Sequence, residues 1–195
     1  MKFKLVPEPP DTAAFVADAQ AAVPLVPGSE DDCCARLMRR LGLRSRDVAR
    51  TWLTFLRALG LAEETDEGFK RRRADPTVDR LRERLLSGVY GASDVADALL
   101  AADGDGPDGG ATPGGGHAAD EADPLSAEEA FAGFADRVPE WERYRTEDWE
   151  SVWRERVRRI LGWFVLLDLA AERDGGYVAT GTLRTLRQGE DDPAE

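Results

Sequence analysis

The chain has 195 residues and a formal net charge of −12 at pH 7, which disfavours a protein that binds polyanions over its whole surface. Its two cysteines are adjacent and it has one histidine, so we expect no disulfide framework, no zinc site, no cofactor and no enzyme activity. No apolar run approaches the roughly 18–20 residues of a membrane span. The first residues lack an apolar signal core, which predicts a cytoplasmic location.

The basic residues are unevenly chosen, because arginine supplies 23 of the 26 and lysine only three. Abundant carboxylates with few lysines resemble the surfaces of proteins from a salt-rich cytoplasm. Charges there are screened over a few ångströms, so the net charge is a poor guide to the partners of such a protein.

The predicted elements of the first half are one short strand, five helices and a hairpin. The strand covers residues 3–6, the helices cover 12–22, 29–41, 46–59, 75–87 and 93–102, and the hairpin lies around 66–68. Ser45 is suited to cap the third helix, and Gly60 to end it. Asp75 followed by Pro76 predicts the start of the fourth helix, and Ser93 is suited to cap the fifth.

A glycine-rich segment then interrupts the pattern. Residues 103–123 contain seven glycines, two prolines and six acids without a base, a composition typical of a flexible linker. The chain before Asp103 is neutral and the remainder carries the whole charge of −12. We therefore predict a first domain over 1–102, a linker over 103–125, a second domain over 126–187 and an acidic tail over 188–195.

The second half begins with a capping box, Ser126 to Glu129, which predicts a helix to residue 137. A helical turn over 141–145 follows, and Thr146 is suited to cap a long helix that reaches about residue 169. Two extended runs around an Asp-Gly turn follow this helix.

Residues 59–69 align without gaps on residues 167–177, at an offset of 108. Six of the pairs are identical: Leu59/Leu167, Leu61/Leu169, Ala62/Ala170, Glu64/Glu172, Asp66/Asp174 and Gly68/Gly176. Each half thus ends a helix and then forms a hairpin with an aromatic residue on its return strand. The alternative is a chance match between two helix–hairpin junctions.

A helix, a short turn, a second helix and a hairpin resemble the winged-helix family. The resemblance is good over residues 31–73 and weaker over 126–181. It implies a mainly α protein with small β-hairpin wings, built from two tandem winged-helix-like units. Many winged helices bind DNA through helix 3 and the wing, and others serve only protein contacts, so the fold alone leaves the function open.

Helical periodicity places Arg46, Arg50 and Arg57 on one outward face of the third helix, with Leu53 among them. Ser45 precedes this face, and the wing adds four consecutive basic residues. The predicted nucleic-acid contacts are Ser45, Arg46, Arg50, Arg57, Lys70, Arg71, Arg72 and Arg73. Residues 31–84 hold 14 bases and 10 acids, a local excess of positive charge in an acidic chain.

The leading hypothesis is therefore a protein that binds double-stranded DNA, with transcriptional regulation as its role. The alternative is a tandem winged-helix adaptor that acts through protein contacts, for which an exposed Leu53 is equally suited. An ordinary solvated helix face is a third interpretation.

The second half has an apolar helical stretch, residues 160–167, without a polar face. Such a helix must be covered on all sides, either by the first half or by another chain. We predict a homodimer through the second unit, with Trp163, Phe164 and Val165 at the interface. The other interpretation is that these aromatic residues fill the core of a small domain.

Overall fold

The computed structural model describes residues 2–104, 123–145 and 147–190. Most of the predicted linker, the predicted cap Thr146 and the end of the predicted tail lie outside these ranges. The chain divides into two compact units, Met1–Ala92 and Ser93–Glu195, called here the first and second units. Both are mainly helical, and each contains one antiparallel hairpin, which confirms the predicted fold class.

The first unit contains four helices and one hairpin. They are α1 (Ala14–Ala22), α2 (Glu30–Leu41), α3 (Arg46–Ala58), β1 (Ala62–Thr65), β2 (Gly68–Arg71) and α4 (Val78–Gly88). The Ser45 hydroxyl accepts from the Val48 amide at 3.2 Å, so the predicted cap of α3 is confirmed. The cap of α4 is Thr77 rather than Asp75, because Thr77 is the residue whose side chain reaches the amide of Arg80.

The segment before α2 makes backbone hydrogen bonds to the outer side of β2, with an isolated bridge between Gly28 and Phe69. The amide of Gly28 donates to the Phe69 carbonyl at 3.0 Å, and the Phe69 amide donates back at 2.8 Å. Further along, the Arg71 amide donates to the Pro24 carbonyl at 2.7 Å. The residues before α2 therefore form an outer edge for β2. The strand predicted at residues 3–6 is only a bridge between Phe3 and Val89.

Aromatic and small side chains fill the core of the first unit, where α3 packs against α1, α2, α4 and β1. The Trp52 ring lies 5.1 Å from Phe15 and 6.1 Å from Phe55. Cys33 and Cys34 are both buried, and this burial raises the pKa of both thiols above its ordinary value. These cysteines therefore serve packing rather than nucleophilic chemistry.

The described part of the second unit contains five helices and one hairpin. They are α5 (Ala92–Gly104), α6 (Ala127–Ala135), α7 (Glu140–Arg145), α8 (Trp149–Leu166), β3 (Ala170–Arg173), β4 (Gly176–Ala179) and α9 (Gly181–Glu190). The capping box at Ser126 is present as predicted. Leu125 pairs with Tyr177 through two 2.9 Å hydrogen bonds, which gives this hairpin an outer edge as well.

The position of α5 differs from the sequence expectation, which assigned it to the first domain. Three aspartates of α5 pair with arginines of the second unit: Asp94 with Arg137, Asp97 with Arg187 and Asp103 with Arg184. Two of these arginines lie on α9, a helix that the sequence analysis did not predict. Ion pairs across 43 to 90 positions of sequence thus join α5 to the second unit.

Candidate nucleic-acid interface

The outward face of α3 carries two arginines that are paired with acids. Arg46 contacts Asp31, and the Arg50 Nε lies 2.8 Å from the Glu30 carboxylate. Asp47 lies 3.5 Å from the same guanidinium, and the hydrogen bond to Glu30 raises the pKa of Arg50. Both arginines remain about half exposed. The positive charge of this face is therefore partly neutralised by acids of α2 and of α3 itself.

Arg57 points to the wing rather than into solvent. One guanidinium nitrogen lies 2.5 Å from the Glu64 carboxylate, and the group stacks over the rings of Phe3 and Phe69 at 5.1 and 5.4 Å. Its side chain is 23% exposed. A stacked and paired arginine of this kind covers apolar surface, so packing is its main observed role.

Leu53 does not belong to the exposed face, and the prediction that it points outward is wrong. Only 2% of its surface is accessible. Helical periodicity alone predicts a single buried stripe on α3, whereas four elements pack against this helix and widen its buried face. Leu53 is a core residue of the first unit and offers no exposed contact for a partner.

The basic wing, residues 62–73, has four consecutive bases at 70–73 and four acids before them, so its bases are concentrated on the return strand and the residues that follow it. Lys70 and Arg72 share one carboxylate, Glu63, at 3.2 and 3.7 Å. Neither Arg71 nor Arg73 has an acidic partner in the part of the chain that the structure describes. An open groove of about 370 Å³ runs along the wing, and its lining residues are Leu25, Glu63, Lys70, Arg71, Arg72 and Arg73. Four cations therefore face one carboxylate in this wing groove.

The predicted interface residues of the second unit lie in its interior. Trp163 and Phe164 have no accessible surface in the single chain, and α8 packs against α6, α7 and β3. The prediction that a second chain covers these two side chains is wrong, because the chain itself buries them completely. Val165 is partly exposed.

Two arginines of the second unit are equivalent to the arginines on the outward face of α3, and the sequence analysis did not identify them. At the offset of 108, Arg154 and Arg158 occupy the positions of Arg46 and Arg50. Arg154 pairs with Glu128 at 2.7 Å and with Glu150 at 3.0 Å, and Arg158 pairs with Glu155. The same offset, continued thirteen residues from Leu167 toward the N-terminus, reaches both arginines.

The described residues contain neither a metal-binding cluster nor a membrane-spanning helix. No group of histidine, cysteine and carboxylate side chains there is arranged to hold a metal ion. Among the described helices, none combines the length and the hydropathy required to cross a membrane.

Two units, each with a helical set followed by a β wing, define a tandem winged-helix protein. The chain matches the family model of the Halobacterial double winged helix domain over residues 1–184, and it belongs to this family. The family agrees with the acidic, lysine-poor composition. No curated protein and no solved structure matches the chain. Winged-helix families typically bind DNA or proteins rather than catalyse reactions.

Proposed function

We propose that this chain binds double-stranded DNA through its first unit and acts as a transcriptional regulator in the cytoplasm. The observation that carries the proposal is the wing groove. Arg71 and Arg73 line it without an acidic partner among the described residues, whereas Arg46 pairs with one acid and Arg50 with two. The wing therefore supplies the main phosphate contacts, and α3 has a secondary role.

Guanidinium groups suit this task, because each donates several hydrogen bonds in a fixed plane to phosphate oxygens. Arg46 and Arg50 join the contact only by exchanging a carboxylate for a phosphate. Exposed ion pairs contribute about 0–1 kcal/mol, so this exchange has a small cost. The Ser45 hydroxyl accepts from Val48 and still has its proton to donate to a phosphate.

A titration of a fluorescent random-sequence duplex at a series of KCl concentrations tests the proposal. Each phosphate contact contributes about 0.9 to the slope of log affinity against log salt. We expect R71A/R73A to reduce this slope by about 1.8 and to weaken all sequences alike. The matched control is R39A/R40A, which removes two exposed arginines of α2 and should leave the slope unchanged.

Circular dichroism at every salt concentration establishes that the protein is folded throughout the titration. Folded wild-type protein that fails to bind the duplex at the lowest of these concentrations contradicts the DNA proposal. An equal loss of slope in R39A/R40A contradicts the assignment to the wing.

A second candidate function is an adaptor, and one observation in the second unit favours it. Trp141 and Tyr144 lie on one face of α7 and are 56% and 85% exposed. Large aromatic side chains in solvent are typical of protein contact sites. Exposed acids, Glu140 and Glu147 among them, lie nearby in sequence.

These acids would oppose one another in a two-fold contact between copies, so we propose a basic protein partner for this face. Light scattering of the full chain separates the two cases. If the full chain is a monomer in solution, the result agrees with a basic protein partner for this face rather than a second copy of the chain. A dimer that W141A/Y144A converts to a monomer would instead support the predicted homodimer, with its interface at α7.

A further inference from the structure

Two exposed aliphatic side chains lie beside the basic wing. Leu25 is 51% and Val26 is 74% exposed, the highest values for large apolar residues in the described part of the first unit. They stand in the sequence Pro24-Leu25-Val26-Pro27, directly before α2. Neither side chain contributes to the core, so packing within the unit does not explain them.

The backbone holds this segment firmly against the wing. Pro24 accepts a hydrogen bond from the Arg71 amide at 2.7 Å, and Gly28 exchanges two with Phe69 at 2.8 and 3.0 Å. The two prolines restrict the backbone torsions on either side of the apolar pair. Leu25 and Val26 therefore project from a segment that backbone hydrogen bonds hold at both ends, and little conformational entropy is lost when they bind.

The same groove contains apolar and cationic groups. Leu25 lines it together with Lys70, Arg71, Arg72 and Arg73, and Glu63 is its one acid. The charge favours a polyanionic occupant. Proteins that bind the minor groove combine basic side chains with apolar wedges, which enter between base pairs and bend the duplex.

We propose that Leu25 and Val26 form a rigid apolar wedge that unstacks a base step and bends the DNA while the wing arginines hold the adjacent phosphates. This inference rests on the proposed function. Flexible pyrimidine–purine steps are the preferred points of insertion, because they unstack and kink most readily. The wedge thus provides a sequence preference that needs no hydrogen bond to a base.

Fluorescence energy transfer between the two ends of a labelled duplex with a central TA step measures the bend. Saturating wild-type protein should increase the transfer. We expect L25A/V26A to abolish the increase and to lower affinity about tenfold, while the salt slope stays at the wild-type value because the phosphate contacts remain. L5A/V78A is the matched control, since it truncates another exposed leucine and valine outside the groove.

Val26→Thr provides a second variant, which preserves the shape of the side chain and should reduce the bend by introducing a hydroxyl. Binding without a bend in the wild-type protein, or an unchanged bend in L25A/V26A, overturns the wedge and leaves the DNA proposal intact. A change in mass by light scattering in L25A/V26A, without a change in bending, assigns the pair to protein contact and also overturns the wedge. If the wild-type protein does not bind the duplex at all, the DNA proposal itself is contradicted.

Discussion

The two units share a backbone framework and differ in the chemistry of their wings. The Leu61 amide donates to the Leu56 carbonyl at 2.8 Å, and the Leu169 amide donates to the Phe164 carbonyl at the same distance, 108 positions later. The bond from Arg72 to Leu61 has its counterpart in the bond from Thr180 to Leu169. The equivalents of Lys70, Arg71, Arg72 and Arg73 are Val178, Ala179, Thr180 and Gly181. The repeat thus preserves the framework, while the cationic wing belongs to the first unit.

The helix arginines show the opposite pattern, because both units have them. Arg50 pairs with Asp47 three residues before it, and Arg158 pairs with Glu155 at the same spacing. A feature common to both units is less informative about a function of one unit than a feature present in one. The acid-paired arginines therefore belong to the shared framework, and the wing distinguishes the first unit.

The largest effect expected from the comparison concerns α8. Trp163→Glu places a carboxylate at a fully buried position, and we expect a loss of more than about 4 kcal/mol in the stability of the second unit. Val165→Arg is the control, because the equivalent position of the first unit is Arg57, and it should cost less than about 1 kcal/mol. Thermal unfolding followed by circular dichroism measures both. Equal stability of the two variants would contradict the burial assigned to Trp163.

The repeated glycine of the wings provides the next test. Gly68 has φ of 124°, and a Cβ there would lie 2.3 Å from the Gly28 carbonyl oxygen. Gly176 has no such torsion, and its Cβ would lie 2.8 Å from the Pro124 Cβ. We expect Gly68→Ala to cost about 2–4 kcal/mol and Gly176→Ala about half as much, from the midpoints of denaturant unfolding. A larger loss of stability in Gly176→Ala than in Gly68→Ala would contradict the close backbone contact assigned to Gly68.

A smaller effect is expected at the carboxylate of the wing groove. Glu63 pairs with Lys70 and Arg72, so Glu63→Gln should make both cations available to phosphate. We expect duplex affinity to rise about three- to tenfold at the lowest salt concentration, with a steeper salt slope. Glu172→Gln changes an exposed acid in the wing of the second unit and should leave affinity unchanged. Weaker binding of the Glu63 variant would argue that this pair positions the wing for DNA.

The smallest effects concern the equivalent helix arginines. Arg50→Ala removes the surface ion pairs with Glu30 and Asp47, and Arg158→Ala removes the one with Glu155; each variant should change stability by less than about 1 kcal/mol. Only Arg50→Ala should weaken duplex binding, because only Arg50 contacts a phosphate. The loss should correspond to one phosphate contact, which is about 0.9 in the slope of log affinity against log salt. Equal binding losses in the two variants would indicate that the second unit also contacts DNA.

Local signals predicted much of the framework. Ser45 and Ser126 were recognisable as caps because the amides that they bind lie three residues away. Gly60 ends its helix with a φ of 68°, a torsion that glycine adopts without strain. The repeat itself was visible because each hairpin is formed by residues adjacent in sequence. The basic run of the wing was visible for the same reason.

The tandem winged-helix plan, the caps at Ser45 and Ser126 and the hairpins are predictable from the sequence, since these features depend on interactions within a few residues. Tertiary structure decided which groups face solvent and which charges are paired. Glu30, one of the two acids that pair with Arg50, lies 20 positions away, and the bridge between Gly28 and Phe69 joins residues 41 positions apart. Leu53 and Trp163 are buried because several distant elements close around their helices, and helical periodicity within one segment contains no information about these neighbours.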